Sequence, residues 1–495
     1  MWPEQLPALA VAVPLACAPF AALLRTGLPA WTVATVASVA SFAFAVLLAG
    51  SVGGLDELSY AVGSWPVPYG IELRITSFSA LLLLIITGAS SAALLAGRHS
   101  LETEVAAPRH PFFYAAWLLV LGGLIGIVVS GDAFNIFVFM EVSSLATYIL
   151  VAGGSNPRAL PAVFKYLVMG TIGATFYLIG VGLIYMMTGT LNLADMGTRI
   201  HDVADLKPIL AAVGFVTIGL ILKAGLFPLH VWLPNTYAWS PHIVTAFIAA
   251  CSAKVSLYVL LRFDFMVFQG SLVDHQLQFS GFLMPLAVLA ILVASGVAMA
   301  EGNLKRLLAY SSVAQIGYVV LGASLMTASG LTAGIIHMFN HALAKGAMFL
   351  AVAGIAIRIT SLRLEDLAGI GRLMPWSTAA FMLAALSLIG IPGTAGFVSK
   401  WYLISAALDA GTVGVALVVV IVASSLMTVA YIWRIAETMY FRAPLDNAAG
   451  VRDAPPWMLG VLWVVALANV WFGLLPGIPL VLSADAAATL LGHLP

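Results

Sequence analysis

Charge is what this sequence has least of: Asp, Glu, Lys and Arg make up 8% of its 495 residues, against 62% hydrophobic ones. That scarcity excludes a water-soluble globular fold and implies an outer surface made for lipid. Cysteine is almost missing too. Cys17 and Cys251 each sit in an apolar run, which supports neither a disulfide framework nor a thiol-ligated metal or iron–sulfur site. We therefore expect no cofactor, no bound metal and no redox chemistry within this chain. Basic and acidic residues balance at 21 each, and a zero net charge spread over loops on two sides of a membrane gives no sign of a nucleic-acid partner. No Lys or Arg precedes the apolar run of Met1 to Phe20, which carries Glu4 instead. A cleaved signal peptide has a basic start, so this run reads as a first membrane helix.

What is abundant is apolar sequence long enough to cross a bilayer, for which about 20 residues suffice. Such segments lie near 6–24, 30–52, 73–97, 112–130, 133–152, 161–189, 208–239, 242–263, 280–300, 305–327, 331–357, 375–408, 411–441 and 457–483. The expected fold is all-α, a polytopic membrane protein of about fourteen transmembrane helices with no soluble domain. With strict alternation, the connections after odd-numbered helices hold or flank twelve basic residues, among them Arg25, Arg98, Arg158, Lys305 and Arg363. Those after even-numbered helices have only Arg74, Arg199, Lys207 and Arg262. The positive-inside rule then makes the odd connections cytoplasmic and places both termini on the non-cytoplasmic side. Arg434 reads as a snorkelling residue near a helix end, and Lys305 with Arg306 as a topological marker.

The few charges inside the apolar segments are the functional signal. Lys223, Lys254, Lys345 and Lys400 each lie within a long apolar stretch, and Glu141 lies within Phe134 to Val151. A charge at the bilayer centre costs about 2.5 to 3.5 kcal/mol, so such groups face a protein interior or hydrated path and find partners. A structural ion pair would explain Glu141 with Lys223, but four central lysines argue against a mere scaffold. Two segments are also broken by proline. The seventh runs through Pro228 and Pro234 and the twelfth through Pro392-Gly393. Backbone groups freed there require polar neighbours or water. Breaks in corresponding positions of two halves point to inverted repeats. Helices 4–8 and 9–13 thus form two inverted five-helix repeats, with helices 7 and 12 broken. The expected division is 1–110 for a three-helix segment, 111–265 and 279–441 for the repeats, and 442–495 for a last helix.

His337, His341 and Lys345 recur at intervals of four, on one helical face. A pair of histidines so spaced can share a metal, but no third ligand accompanies them. A hydrogen-bonded core histidine and a polar relay bridging the two breaks are the competing readings. His230, between the prolines, reads as a donor that stabilises its break.

The motifs Asp132-Ala-Phe-Asn-Ile-Phe-Val-Phe-Met-Glu141, Lys223-Ala-Gly-Leu-Phe-Pro-Leu-His-Val-Trp-Leu-Pro234, Ala253-Lys254 with Leu260-Leu-Arg262, Asn303-Leu-Lys-Arg-Leu-Leu-Ala-Tyr-Ser-Ser312 and His337-Met-Phe-Asn-His341 together resemble the antiporter-like family. That family comprises proton-pumping subunits of respiratory complex I, related hydrogenase subunits and the large subunits of Mrp-type sodium/proton antiporters. The similarity spans about residues 110–440. The Phe-Asn run before Glu141 and the lysine at 400 look most like the Mrp D-type protein, while Asn235 departs from the commoner aspartate. The resemblance implies an ion-translocating subunit in a prokaryotic inner (cell) membrane, moving protons along Glu141, Lys223, Lys254, His337, His341, Lys345 and Lys400. Its implied partners are other membrane subunits, protons, sodium in the antiporter reading, and the bilayer. The alternative is the same chain pumping protons within a complex I-like or hydrogenase-like redox complex. Composition and spacing do not separate the two.

Overall fold

The computed structural model describes residues 2–53, 57–203, 207–268, 279–444 and 450–492. Among these, thirteen helices are long and apolar enough to cross a membrane. They become fourteen when Leu364–Leu373 and Pro375–Ile389, bent by 114°, count as one span. In chain order they are α1 (Trp2–Leu23), α2 (Gly27–Ser51), α3 (Ser77–Glu104), α4 (His110–Val129), α5 (Ala133–Ala152), α6 (Ala159–Thr188) and α7, in two halves (Lys207–Ala224 and Trp232–Trp239). There follow α8 (His242–Arg262), α9 (Met284–Ala300), α10 (Leu304–Ser324), α11 (Ala328–Ala356) and α12, whose halves are Pro375–Ile389 and the helix after it, Ala395–Leu408, and not the bent segment before it. The last are α13 (Gly411–Ala436) and α14 (Pro456–Leu474 and Gly477–Leu491).

Two expected segments come out differently. The third was expected from residue 73, but Glu72–Ile75 is a strand, β2, paired antiparallel with β1 (Leu58–Ala61). Thr76 then starts α3 with a capping box to Ser79, so a β-turn-helix junction hides inside one apolar window. The fourteenth was expected as one helix and is broken at Leu475-Pro476, where proline supplies no N–H to continue the ladder. Gly473, just before, lies against the break of α12: a Cβ there would sit 2.4 Å from Thr394 Cα. No other residue type fits that approach.

The two five-helix units, α4–α8 and α9–α13, share one wiring. At the start of α5 the Asp132 carboxylate accepts the Asn135 N–H, and at the start of α10 the Asn303 amide oxygen accepts the Arg306 N–H. Each cap is clamped to the connection that follows the next helix. Ala133 N donates to Leu191 O and Leu193 N to Gly131 O; in the second unit Leu304 N donates to Leu362 O and Leu364 N to Gly302 O, all at 2.8–2.9 Å. At the far end, Arg262 donates to the Ser130 carbonyl (2.6 Å) and Arg434 to the Glu301 carbonyl (2.8 Å). Arg434 is therefore a clamp and not a snorkelling side chain. Five crossings separate equivalent elements, so the units run in opposite senses through the bilayer.

Both breaks occur as expected, at 225–231 and 390–394. Of the two prolines expected to break the seventh helix only Pro228 lies in the gap. Pro234 falls in the first turn of the second half, where a missing N–H goes unnoticed because first-turn amides have no intrahelical partner.

Candidate functional site

The first break places Lys223 in the last turn before the gap. Its ammonium lies 3.3 Å from Glu141 Oε1 and 2.9 Å from the Ser144 hydroxyl. Glu141 and Ser144 share a face of α5, which is why one lysine reaches both. Lys223 also lines a cavity of about 40 Å³ that Ser252 and Ser256 of α8 face from the other side. That volume exceeds what one water needs, and the lining supplies polar partners. The carbonyl of Leu222, which loses its i+4 partner at the break, accepts the Gly225 N–H at 3.2 Å and the indole N–H of Trp232 at 2.9 Å. His230 lies within the break, its ring stacked on Phe227 at 5.4 Å.

Further along, Lys254 is buried in α8 and donates to the Ala249 carbonyl at 2.6 Å. The α11 face expected from the four-residue spacing is present and buried. His337 lies 2.8 Å from Ser399 Oγ and 2.9 Å from Gln315 Oε1. An amide oxygen only accepts, so Nε2 donates to it, while Nδ1 pairs with the serine hydroxyl. His341 stacks on His337 with ring centroids 6.2 Å apart and planes within 6°. Its Nε2 is buried without a partner, as are Gln315 Nε2 and Asn340 Oδ1. Buried polar atoms of this kind call for water. Lys345 donates to the Leu308 carbonyl at 2.8 Å and to the Ser311 hydroxyl.

At the second break, Lys400 donates to the carbonyls of Leu388 (3.1 Å) and Ile389 (2.8 Å), the last of the first half of α12, and to the Ser425 hydroxyl at 3.1 Å. Its ammonium sits 5.3 Å from the ring centre of Tyr318. Gly390, at φ +92°, makes room for this: a Cβ there would meet Lys400 Cδ at 2.9 Å. Pro392 and Gly393 complete the gap, Gly393 at φ +89°.

Sequence reading missed several of these partners. Ser144, Ser311, Gln315, Ser399 and Ser425 are small or neutral groups that look like any helix serine or amide until a neighbouring helix is placed. Lys305 was expected to mark topology. It is 1% exposed and donates to the Ser240 carbonyl at 2.7 Å, tying α10 to the end of α7. Nearby, Glu104 accepts the His242 N–H at 2.9 Å and the Ser100 hydroxyl at 2.7 Å. Outside the spans, burial raises the Asp132 carboxyl above its ordinary range, opposed by backbone N–H groups at the start of α5. Among the described residues, no group of three or more His, Cys, Asp or Glu is placed to hold a metal ion.

Residues 130–428 match the family described as NADH:quinone oxidoreductase/Mrp antiporter, TM. The chain is 40% identical over 462 residues to a Desulforudis audaxviator protein named NADH-quinone oxidoreductase subunit N, covering 91% of this chain and 90% of that one. It is 31% identical over 349 residues to the D-type protein of an Alkalihalophilus pseudofirmus Na(+)/H(+) antiporter, covering 70% and 69%. Among solved structures it matches a chain of the Mrp complex from a Dietzia species with a TM-score of 0.88 and 28% identity, over 99% of this chain and 98% of that one.

Proposed function

This chain belongs to the NADH:quinone oxidoreductase/Mrp antiporter transmembrane family, and we propose that it moves protons across a prokaryotic cell membrane as one subunit of a larger complex. The observation that carries this is the Glu141–Lys223 pair, 3.3 Å apart beside a proline-broken helix and a polar cavity. The proton passes from Glu141 and Lys223 to Lys254, then along the α11 face from Lys345 through His341 to His337, and on to Lys400 at the second break. Bridging waters complete the row where buried polar atoms lack protein partners. The two repeats, 111–265 and 279–441, each hold one break of this row. Both termini lie on the non-cytoplasmic side, which accessibility labelling of cysteines placed near positions 3 and 490 checks directly.

The finer reading we favour is the D-type member of an Mrp-type antiporter, exchanging sodium for protons. The Phe134-Asn135 run before Glu141 and the likeness to a chain of the Dietzia Mrp complex support it. The 40% identity to a protein named NADH-quinone oxidoreductase subunit N favours a second reading, in which electron-carrying partners drive the same proton movement. Identifying what copurifies in mild detergent separates them. The test of translocation itself is Glu141→Gln, which keeps shape and removes the counter-charge. Vesicles carrying that variant at parental assembly should show no complex-driven pH change, and a normal response would remove Glu141 from the path.

A further inference from the structure

Away from the relay, a pocket of about 690 Å³ opens at the end of the molecule where α9 and α13 finish and α10 begins. Five arginines line it against three glutamates, so it has an excess of two positive charges. Three arginines have carboxylate partners, but loosely: Arg306 to Glu301 at 3.4 Å, Arg363 to Glu365 at 3.5 Å and Arg442 to Glu437 at 3.2 Å. Charge-assisted N–H···O bonds usually close to about 2.7–2.9 Å, so these guanidinium groups retain donors for something else. Buried Arg306 Nε has no partner at all. The other two lack a carboxylate. Arg434 is spent on the carbonyls of Met299 and Glu301, and Arg158 lies over the ring of Trp239 at 4.9 Å.

We propose that this pocket binds the phosphate headgroup of an anionic phospholipid. The excess charge and planar guanidinium forks match a phosphodiester, which they grip in bidentate fashion. A membrane-bound source fits better than a soluble one because of the rim. Trp433 and Phe441, 60% and 68% exposed, adjoin Arg434 and Arg442 in sequence, with ring centroids 5.9 Å apart and planes tilted by 40°. Exposed aromatics of this kind settle at headgroup depth, and a basic pocket between helices at that depth is where acidic lipid heads dock. The topology proposed above makes this the cytoplasmic leaflet. Arg158 and Trp239 come from the first unit and the remaining lining from the second and, in Arg442, the residue just after it, so the bound headgroup joins the two units.

The test is independent of ion movement. The assembled complex, purified and stripped of lipid, is titrated with phosphatidylglycerol, phosphatidylcholine or inorganic phosphate. Thermal stability and lipid retained in native mass spectrometry are then read. We expect phosphatidylglycerol to be retained and to raise the melting temperature, with phosphatidylcholine doing neither. Arg158→Gln with Arg363→Gln, both at exposed positions, should weaken retention roughly 25-fold for the two lost charges. The matching double lysine variant, which keeps both charges but not the planar forks, should fall between the parent and the glutamine variant. Equal retention of both lipids, or no loss in the glutamine variant while the complex stays assembled, overturns the site. Protection by inorganic phosphate without lipid retention overturns the lipid assignment in favour of a soluble anion. A crosslink from Arg158 to an acidic segment of a neighbouring subunit, with no lipid bound, overturns it in favour of a protein contact.

Discussion

In the first unit the lysine at the broken helix faces a carboxylate, Lys223 to Glu141 at 3.3 Å, whereas in the second Lys400 turns to two main-chain carbonyls and a serine. The scaffolds that deliver these lysines are wired alike, down to the clamp of each cap and the arginine at the far end. Counting from the caps shows where the chemistry diverges. Glu141 stands nine residues after Asp132, and nine residues after Asn303 stands Ser312, which donates to the Leu308 carbonyl. The repeat thus preserves backbone and exchanges a charge for a hydroxyl. A lysine facing a carboxylate is held as a cation by its partner. Facing only neutral acceptors, Lys400 can release its proton without stranding an anion, which suits the end of a row.

Breaking the pair should have the largest effect. Lys223→Met leaves Glu141 without its counter-charge, and removing one partner of a buried pair costs about 3–5 kcal/mol at most. Glu141 is 28% exposed, so the measured destabilisation should fall below that range while transport drops to background. Adding Glu141→Gln should recover part of the lost melting temperature and none of the transport. A double variant no more stable than the single would show that the two side chains do not interact.

Gly390→Ala comes next and acts only on the second unit. It forces φ +92° on a residue with a Cβ and pushes against Lys400 Cδ, a strain of about 1–2 kcal/mol. Denaturation midpoint and transport should fall together. Unchanged transport would mean that Lys400 needs no fixed position.

The smallest effect belongs to Trp232→Phe, which keeps the ring stacked on Tyr166 and deletes only the cap on the Leu222 carbonyl. One hydrogen bond is worth about 1 kcal/mol, so a modest fall in thermal stability with transport retained is expected. A loss of transport would show that the first break depends on the cap as heavily as the second depends on Lys400.

How much of this the sequence disclosed follows from what stands out against apolar background. Most helix positions, both proline breaks and the four central lysines were legible, because a lysine or a Pro-Gly stands out in such a segment. The hairpin was not, since Leu73 and Ile75 merge with the apolar start of α3. The break in α14 was missed because Pro476-Gly477 interrupts a run that remains apolar on both sides. At the site, Glu141, Lys223 and the histidine face were found, and their neutral partners were not. Gln315 reaches His337 from another helix, and no spacing rule within a helix reports that. The carbonyl partner of Lys305 was hidden because a basic residue at a helix start looks the same whether it meets water or, as here, a buried carbonyl.

Proton movement through the second break requires Lys400 to release a proton and not merely cap a broken helix, and Lys400→Arg separates the two. Arginine keeps a positive charge and donors for the Leu388 and Ile389 carbonyls, yet stays protonated. With the variant complex assembled to parental level in membrane vesicles, dye-monitored pH changes should be abolished. Ion movement equal to the parent's would make Lys400 a fixed structural charge and end the relay before the second break.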